Sequence, residues 1–326
     1  MITRFDAENY GCIRKGGLDL TPLHALIGPN DSGKSTVLRA MRTLLNLEGA
    51  GIDGSASALQ ARRHASHAET SEFAGLPDTV KYAREVGFTV SSAAQPEVQE
   101  RAAVQADRAL FGPARIIRFD AEALKQLSVL LPEEQVAEFP HERGGEIAGV
   151  YDAIMNRGDD SFARIAADVR KLFPTVANLR LRTVNNTSKQ LGIRLTDGTD
   201  VPANQMSEGL LYYLAYLALR EVSGAKVLLV EEPETGLHPA RIREVMAVLR
   251  AMSEGGTQVI LTTHSPLVIN EMQPNEVTIV TRTPEEGTRF TPLAETPDFE
   301  ERSRVYAPGD LWLSYADGVL EGELVR

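Results

Sequence analysis

The sequence predicts an α/β fold, a mixed sheet carrying helices and a helical insertion. Three short apolar runs predict it. Residues 23–27, 227–230 and 259–261 have the length and composition of buried strands, and each leads directly into a polar tip. The tips are Gly28-Pro29-Asn30-Asp31-Ser32-Gly33-Lys34-Ser35-Thr36, Glu231-Glu232-Pro233-Glu234 and Thr262-Thr263-His264-Ser265. Ligands of open parallel sheets bind beyond the carboxyl ends of the strands. The three tips are therefore candidates for one site.

The first tip fits G-x-x-x-x-G-K-[ST], the loop that cradles nucleotide phosphates. A helix is predicted at residues 36–45, with Val37, Leu38, Met41, Leu44 and Leu45 apolar. Strand, glycine loop and helix together aim backbone N–H groups and a positive helix end at one spot. Gly28, Asn30, Asp31, Ser32, Gly33, Lys34, Ser35 and Thr36 are the candidate nucleotide-binding residues. Lys34 is expected to reach the β- and γ-phosphates, and Ser35 to ligate Mg²⁺.

The second tip ends a buried strand in two acids. Burying acids is costly unless they meet a metal or a proton donor. Glu231 suits the Mg²⁺ shell, and Glu232 suits orienting or deprotonating an attacking water. In the third tip His264 reads either as an ordinary structural histidine or as a hydrogen-bond donor to a γ-phosphate. A fourth segment, Gln205-Met206-Ser207-Glu208-Gly209, precedes an apolar helix at residues 210–220. Taken alone, Ser207 is a helix N-cap; a Ser-Glu-Gly turn at a helix start also suits an anion.

Between the first two tips lies a long interval. Lys34 to Ser207 is 173 positions, whereas Ser207 to Glu232 is 25. The interval must hold inserted material, and no heptad pattern is sustained enough for a long coiled coil. Residues 49–75 read as loop with at most a short helix, 97–110 as an Ala-rich helix and 114–119 as a strand. Residues 144–172 read as helical, with Ile147, Val150, Tyr151 and Ile154, then Phe162, Ile165, Ala166, Val169 and Leu172 as core stripes. Residues 179–183 and 191–196 form a predicted hairpin around Asn185-Asn186. The expected division is a core at 1–48 and 176–326, with an insertion and helical subdomain at 49–175.

The composition is that of a globular chain, 43% hydrophobic and 24% charged, with a net charge of −11. That charge argues against a surface broadly coated with nucleic acid. Residues 157–194 are locally basic, with Arg157, Arg164, Arg170, Lys171, Arg180, Arg182, Lys189 and Arg194 against three acids. They read as a solvated face or as a groove for a phosphate backbone. Arg62, Arg63, His64 and His67 form a second small cluster. The single cysteine, Cys12, excludes an internal disulfide framework, suits a reducing cytosol and reads as a small buried hydrophobe. The start of the chain lacks a signal-peptide pattern, and the longest apolar run, residues 210–219, is too short for a membrane span. A cytoplasmic protein without a membrane partner is expected.

The order of the motifs resembles the head of an ABC-type ATPase, in the SMC/RecF/OLD-like branch and in the manner of its small bacterial stand-alone members. The carriers are Gly-Pro-Asn-x-x-Gly-Lys-Ser at 28–35, Ser207-Glu208-Gly209, the run from Glu231 to Pro239 and Thr263-His264-Ser265. Asn9-Tyr10, Arg118-Phe119-Asp120, Leu172-Phe173-Pro174 and the 308–314 segment also match. The resemblance covers residues 1–45 and 160–326 and thins in between. It departs at Ser207-Glu208-Gly209, which lacks the second glycine and the glutamine of the longer signature, and at the glutamine loop, for which Gln60, Gln95 and Gln99 all compete.

The resemblance implies a P-loop fold that binds ATP and Mg²⁺ and hydrolyses ATP between two head-to-tail copies. Lys34, Glu232 and His264 are then catalytic, Ser35 and Glu231 hold the metal, and Ser207 and Gly209 close over the partner copy's γ-phosphate. It further implies work in DNA maintenance or antiphage defence, with the chain regulating an effector encoded elsewhere and DNA as a candidate partner. Only 62 residues follow His264, too few for an appended nuclease. The alternatives are a nucleotide-gated switch with little turnover, a transporter ATPase subunit and a scaffold.

Overall fold

A computed structural model describes residues 1–46, 58–64, 85–91, 114–129, 138–222 and 224–316. In chain order the elements begin β1 (Arg4–Tyr10), β2 (Ile13–Asp19), β3 (Leu23–Ile27), α1 (Lys34–Asn46), β4 (Ala58–His64), β5 (Glu85–Ser91) and β6 (Ala114–Ile117). Next come α2 (Ala121–Leu124), β7 (Ser128–Val129), α3 (Ile147–Asn156), α4 (Ser161–Leu172), β8 (Val176–Asn185), β9 (Ser188–Leu195) and β10 (Asp200–Pro202). After α5 (Glu208–Val222), β11 (Val227–Glu231), α6 (Pro239–Glu254) and β12 (Gln258–Thr263), the chain closes with α7 (Pro266–Ile269), β13 (Val277–Thr283), β14 (Gly287–Pro292), α8 (Phe299–Arg302) and α9 (Pro308–Ala316).

The chain divides into two compact units. The first holds Met1–Ile116, Ala225–Glu232 and Ser253–Arg326, and the second holds Ile117–Gly224 and Pro233–Met252. Residues 176–224, read from the sequence as core, thus cluster with the helical unit.

In the first unit a six-stranded mixed sheet runs β14-β13-β3-β12-β11-β6. β3 pairs in parallel with β12 on one side and β13 on the other, and β12 pairs in parallel with β11. A second, antiparallel sheet runs β2-β1-β4-β5. β4 occupies sequence read as loop. Ala58–His64 contains no β-branched residue, so propensity gave no signal, and it pairs with β1 along the register Arg4↔Arg62 to Glu8↔Ala58. Of the second basic cluster, Arg62, Arg63 and His64 lie on β4, and His67 lies outside the described residues. The predicted helix at 97–110 also lies outside them.

α1 carries the core between these sheets. Val37, Leu38 and Met41 are fully buried among Phe5, Ile13 and Leu18 of one sheet and Leu26, Leu229, Ile260 and Val280 of the other. Burial of three such side chains contributes about 1.5–3 kcal/mol each and fixes the loop that precedes the helix. Beneath the strand ends, the buried Gln258 side chain accepts from Ile2 N–H at 2.7 Å and donates to the Ile2 carbonyl at 2.7 Å and the Thr21 carbonyl at 3.1 Å. His24 on β3 is buried against the Thr278 hydroxyl at 2.9 Å and the Thr21 hydroxyl at 3.1 Å.

In the second unit, α5 is buried from Leu210 to Leu219, which explains its unbroken apolar run. It packs with α2, α3 and α4. The helical stretch at 144–172 is two helices, divided where Gly158 takes φ 69°. The predicted hairpin is present as β8 and β9, paired from Val176↔Leu195 to Asn185↔Ser188.

Candidate functional site

The predicted strand tips of the first unit meet at one edge. The registers Thr263↔Ile27 and Glu231↔Thr262 bring the ends of β3, β12 and β11 level, so Gly28, His264 and Glu232 leave neighbouring strands in the same direction. This is the carboxyl edge where sheet ligands bind.

Residues 28–36 form a tightly turned loop that could cradle an anion. Asp31 at φ 63° and Gly33 at φ 109° are left-handed, a conformation that turns successive N–H groups toward one point. Two glycines are obligatory here. A Cβ on Gly28 would lie 2.0 Å from the Val280 carbonyl oxygen, and one on Gly33 would lie 2.5 Å from Thr288 Oγ1 and 2.8 Å from Cys12 Sγ. Lys34 is only 8% exposed, and its ammonium donates to the Gly28 and Pro29 carbonyls at 2.7 Å each. These bonds hold the charge over the loop. The Ser32 hydroxyl is buried and has no hydrogen-bond partner among the described residues, a spare polar group in the wall of the loop. Asn30 and Asp31 are exposed, and Ser35 and Thr36 are partly exposed on the first turn of α1.

Glu231 ends β11, and Glu232 follows it at φ 48° with its N–H donated to the Thr262 carbonyl at 2.8 Å. A left-handed glutamate costs on the order of 1–3 kcal/mol, and such strain clusters at functional sites. Glu232 Oε1 lies 3.4 Å from His264 Nδ1, and the imidazole is 55% exposed. Local chemistry presents that ring. The Thr263 hydroxyl accepts from Ser265 N–H at 2.9 Å, and Pro266 opens α7 immediately after. Ser35 and Glu231 carry hard oxygens of the kind that could hold Mg²⁺. Among the described residues no group of three or more His, Cys, Asp or Glu forms a protein-only metal cluster.

Ser207 and Gly209 belong to the second unit. Ser207 is exposed at the start of α5, where its carbonyl accepts from Leu211 N–H at 3.1 Å, and an added Cβ on Gly209 would meet nothing within 4 Å. In the same unit the loop that follows Glu232 is fitted to α5. Gly236 has φ 70°, and a Cβ there would stand 2.2 Å from the Tyr212 ring. Of the three competing glutamines, Gln60 lies on β4 opposite Asp6, and Gln95 and Gln99 lie outside the described residues.

Sequence reasoning missed three neighbours of the loop. Cys12, in the turn between β1 and β2, is partly exposed and touches the Thr36 hydroxyl at 3.5 Å. Thr288 and Arg282, on β14 and β13, bond loop carbonyls. No motif marks them; only a contact pattern across more than 250 positions finds the last two.

Fold and edge together define an ABC-type P-loop ATPase of the SMC/RecF/OLD-like kind. Residues 105–270 match the family described as "AAA domain, putative AbiEii toxin, Type IV TA system", and residues 1–82 match "AAA ATPase domain". The first match spans more than half of the chain, and the chain belongs to that family. Among solved structures, an SMC head bound to the C-terminal winged-helix domain of ScpA superposes with a TM-score of 0.60 at 15% identity, over 89% of this chain and 96% of that one. The macrolide export ATP-binding/permease protein MacB of Salmonella choleraesuis is 36% identical over 78 residues, 24% of this chain and 12% of that protein. The OLD nuclease of Thermus scotoductus is 42% identical over 45 residues, 14% of this chain and 8% of that protein. The matched stretches are thus a small part of both curated relatives.

Proposed function

We propose that the protein hydrolyses ATP at the edge of β3, β12 and β11, and that bound ATP joins two copies head to tail. The observation that carries this reading is the position of Glu232, one residue beyond β11, in strained backbone and 3.4 Å from His264, level with the loop of Lys34. Lys34 neutralises charge on the β- and γ-phosphates, and loop N–H groups hold their oxygens. Glu232 orients the attacking water and takes its proton. His264 hydrogen-bonds the γ-phosphate and, through the contact of its Nδ1 with Glu232, fixes that acid's direction. Ser35 and Glu231 would hold Mg²⁺, which when bound would supply further neutralisation of phosphate charge.

Ser207, exposed, and Gly209, partly exposed, at the start of α5 are suited to capping the nucleotide of a second copy. ATP then acts as a removable joint, and hydrolysis frees the copies. We extend this proposal to a role in DNA maintenance or antiphage defence, as a cytoplasmic regulator of a separate effector; the family's toxin–antitoxin description and the similarity to an OLD nuclease are compatible with it. The match to MacB keeps the transporter reading as the competitor. No helix among the described residues is long and apolar enough to cross a membrane.

The test is Glu232→Gln. Steady-state hydrolysis is expected to fall by about two to three orders of magnitude while ATP affinity stays within twofold. With ATP and Mg²⁺ the variant is expected to elute as a dimer, and without nucleotide as a monomer. Wild-type turnover in Glu232→Gln would overturn the assignment.

A further inference from the structure

The β13–β14 hairpin grips the phosphate loop from the side. β13 is in register with β3 at Thr278↔Leu26 and Ile279↔Ile27, and it then continues beyond the end of β3. Its Val280 carbonyl stands where a Gly28 Cβ would be, so the loop has no slack against this wall. Two residues further on, the exposed Arg282 guanidinium donates to the Asp31 carbonyl at 3.5 Å. Directly across the hairpin, Arg282 is paired with Thr288. Thr288 is 1% exposed, and its hydroxyl donates to the Ser32 carbonyl at 2.9 Å. That hydroxyl also lies 3.3 Å from Cys12 Sγ and 3.4 Å from the Cys12 carbonyl, and its single proton serves the shortest of the three contacts.

Two consecutive loop carbonyls are therefore held outward by two residues that face each other across one hairpin. The peptide unit is planar and trans, so its C=O and the following N–H point to opposite sides. Fixing the Ser32 carbonyl on Thr288 therefore also fixes the Gly33 N–H, on the side away from Thr288. Gly33 at φ 109° and Asp31 at φ 63° are the two left-handed residues of the loop, and the two fixed carbonyls belong to the two peptide units between them. Left to itself, a glycine-rich loop samples many conformations, and ordering it on binding lowers affinity.

We propose that the Arg282–Thr288 pair is a positioning device that holds the phosphate loop in its anion-binding conformation before nucleotide arrives. The C-terminal hairpin thereby becomes part of the nucleotide site without touching the nucleotide. This rests on the reading that residues 28–36 bind phosphate.

The test compares ADP with inorganic tripolyphosphate as calorimetric probes of the protein. Thr288→Val keeps the shape and removes the donor, and it is expected to weaken both probes by the same factor, about tenfold. Thr288→Ser restores the donor and is expected to bind within about twofold of wild type. Arg282→Ala, an exposed site, is expected to weaken both probes about threefold. Unchanged affinity in Thr288→Val overturns the proposal, as does Thr288→Ser behaving no better than Thr288→Val, which would reduce Thr288 to filling space. If Thr288→Val does not fold, Arg282→Ala carries the test: a threefold loss supports the proposal and wild-type affinity overturns it. Lys34→Ala separates the two layers. If it binds both probes like wild type, the phosphate-loop reading itself fails. If it loses both while Thr288→Val keeps them, only the positioning role fails.

Discussion

The strand edge at Gly28, Glu232 and His264 and the β8–β9 hairpin both carry dense charge, and they handle it in opposite ways. At the edge, charge is held by backbone. Lys34 sits on two loop carbonyls, and Glu232 is kept in strained backbone beside an exposed imidazole. On the hairpin, charge is cancelled by side chains. Arg194 makes a two-pronged contact with Asp200 at 2.8 Å, Arg180 approaches the same carboxylate at 3.9 Å, and Lys189 pairs with Asp152. Arg164 pairs with Glu221 at 3.1 Å. Asp152, Asp200 and Glu221 lie outside the basic window of the sequence, so a count over 157–194 overstates the charge of the folded surface. A site is marked by charge that the fold takes trouble to orient, and excess of one sign along the chain is a weak guide.

The largest expected effect breaks the edge. Lys34→Ala is expected to lower ATP affinity at least a hundredfold, read by calorimetry, because the phosphates lose their main point charge. An affinity within threefold of wild type would put the edge on the same footing as the hairpin. Next, Ser207→Arg in the Glu232→Gln background is expected to abolish the ATP-dependent dimer in size-exclusion chromatography while monomer ATP affinity stays unchanged. Loss of monomer binding would assign Ser207 to its own copy's nucleotide or to a plain helix cap.

An intermediate effect tests the sheet beneath the edge. Burial lowers the His24 pKa from 6.5 to about 4, opposed by Glu276 and Asp19. Above pH 6.5 the ring is neutral in both folded and unfolded chains. Between pH 6.5 and 4 only the unfolded chain takes up the proton, so stability falls as pH falls. The loss approaches about 3 kcal/mol at pH 4. Urea midpoints measured across that range are expected to fall less steeply in His24→Gln than in wild type, and parallel slopes would remove the histidine from the account. The smallest effect belongs to the basic segment of α4 and the hairpin. Lys171→Glu with Arg182→Glu, both exposed, is expected to change stability by less than about 1 kcal/mol and leave ATPase activity unaltered. Duplex DNA binding at low salt is expected to be undetectable. A salt slope near −0.9 per phosphate that the double variant flattens would make this basic segment a second site.

The edge was legible in the sequence because each of its parts is local. An apolar run of four or five residues followed by a tip of defined chemistry gives β3, β11 and β12 with their ends nearly to the residue. α5 was legible for the same reason. β4 was not, since its pairing with β1 is made across about fifty positions and Ala58–His64 has no strand-forming composition. Thr288 and Arg282 escaped because a hydroxyl and a guanidinium acting on carbonyls leave no spacing rule. The division into units escaped because contact density, unlike periodicity, is a property of the folded chain.

That division has a consequence for inheritance. The polypeptide passes between the units at Ile116/Ile117, Gly224/Ala225, Glu232/Pro233 and Met252/Ser253, and the third passage falls immediately after Glu232. A gene fragment encoding 117–252 would take β11 away from the sheet it belongs to, and one ending at 116 would lack both acids. Neither unit is a cassette that recombination can move whole. A recombination that preserves the fold must therefore exchange the two units together.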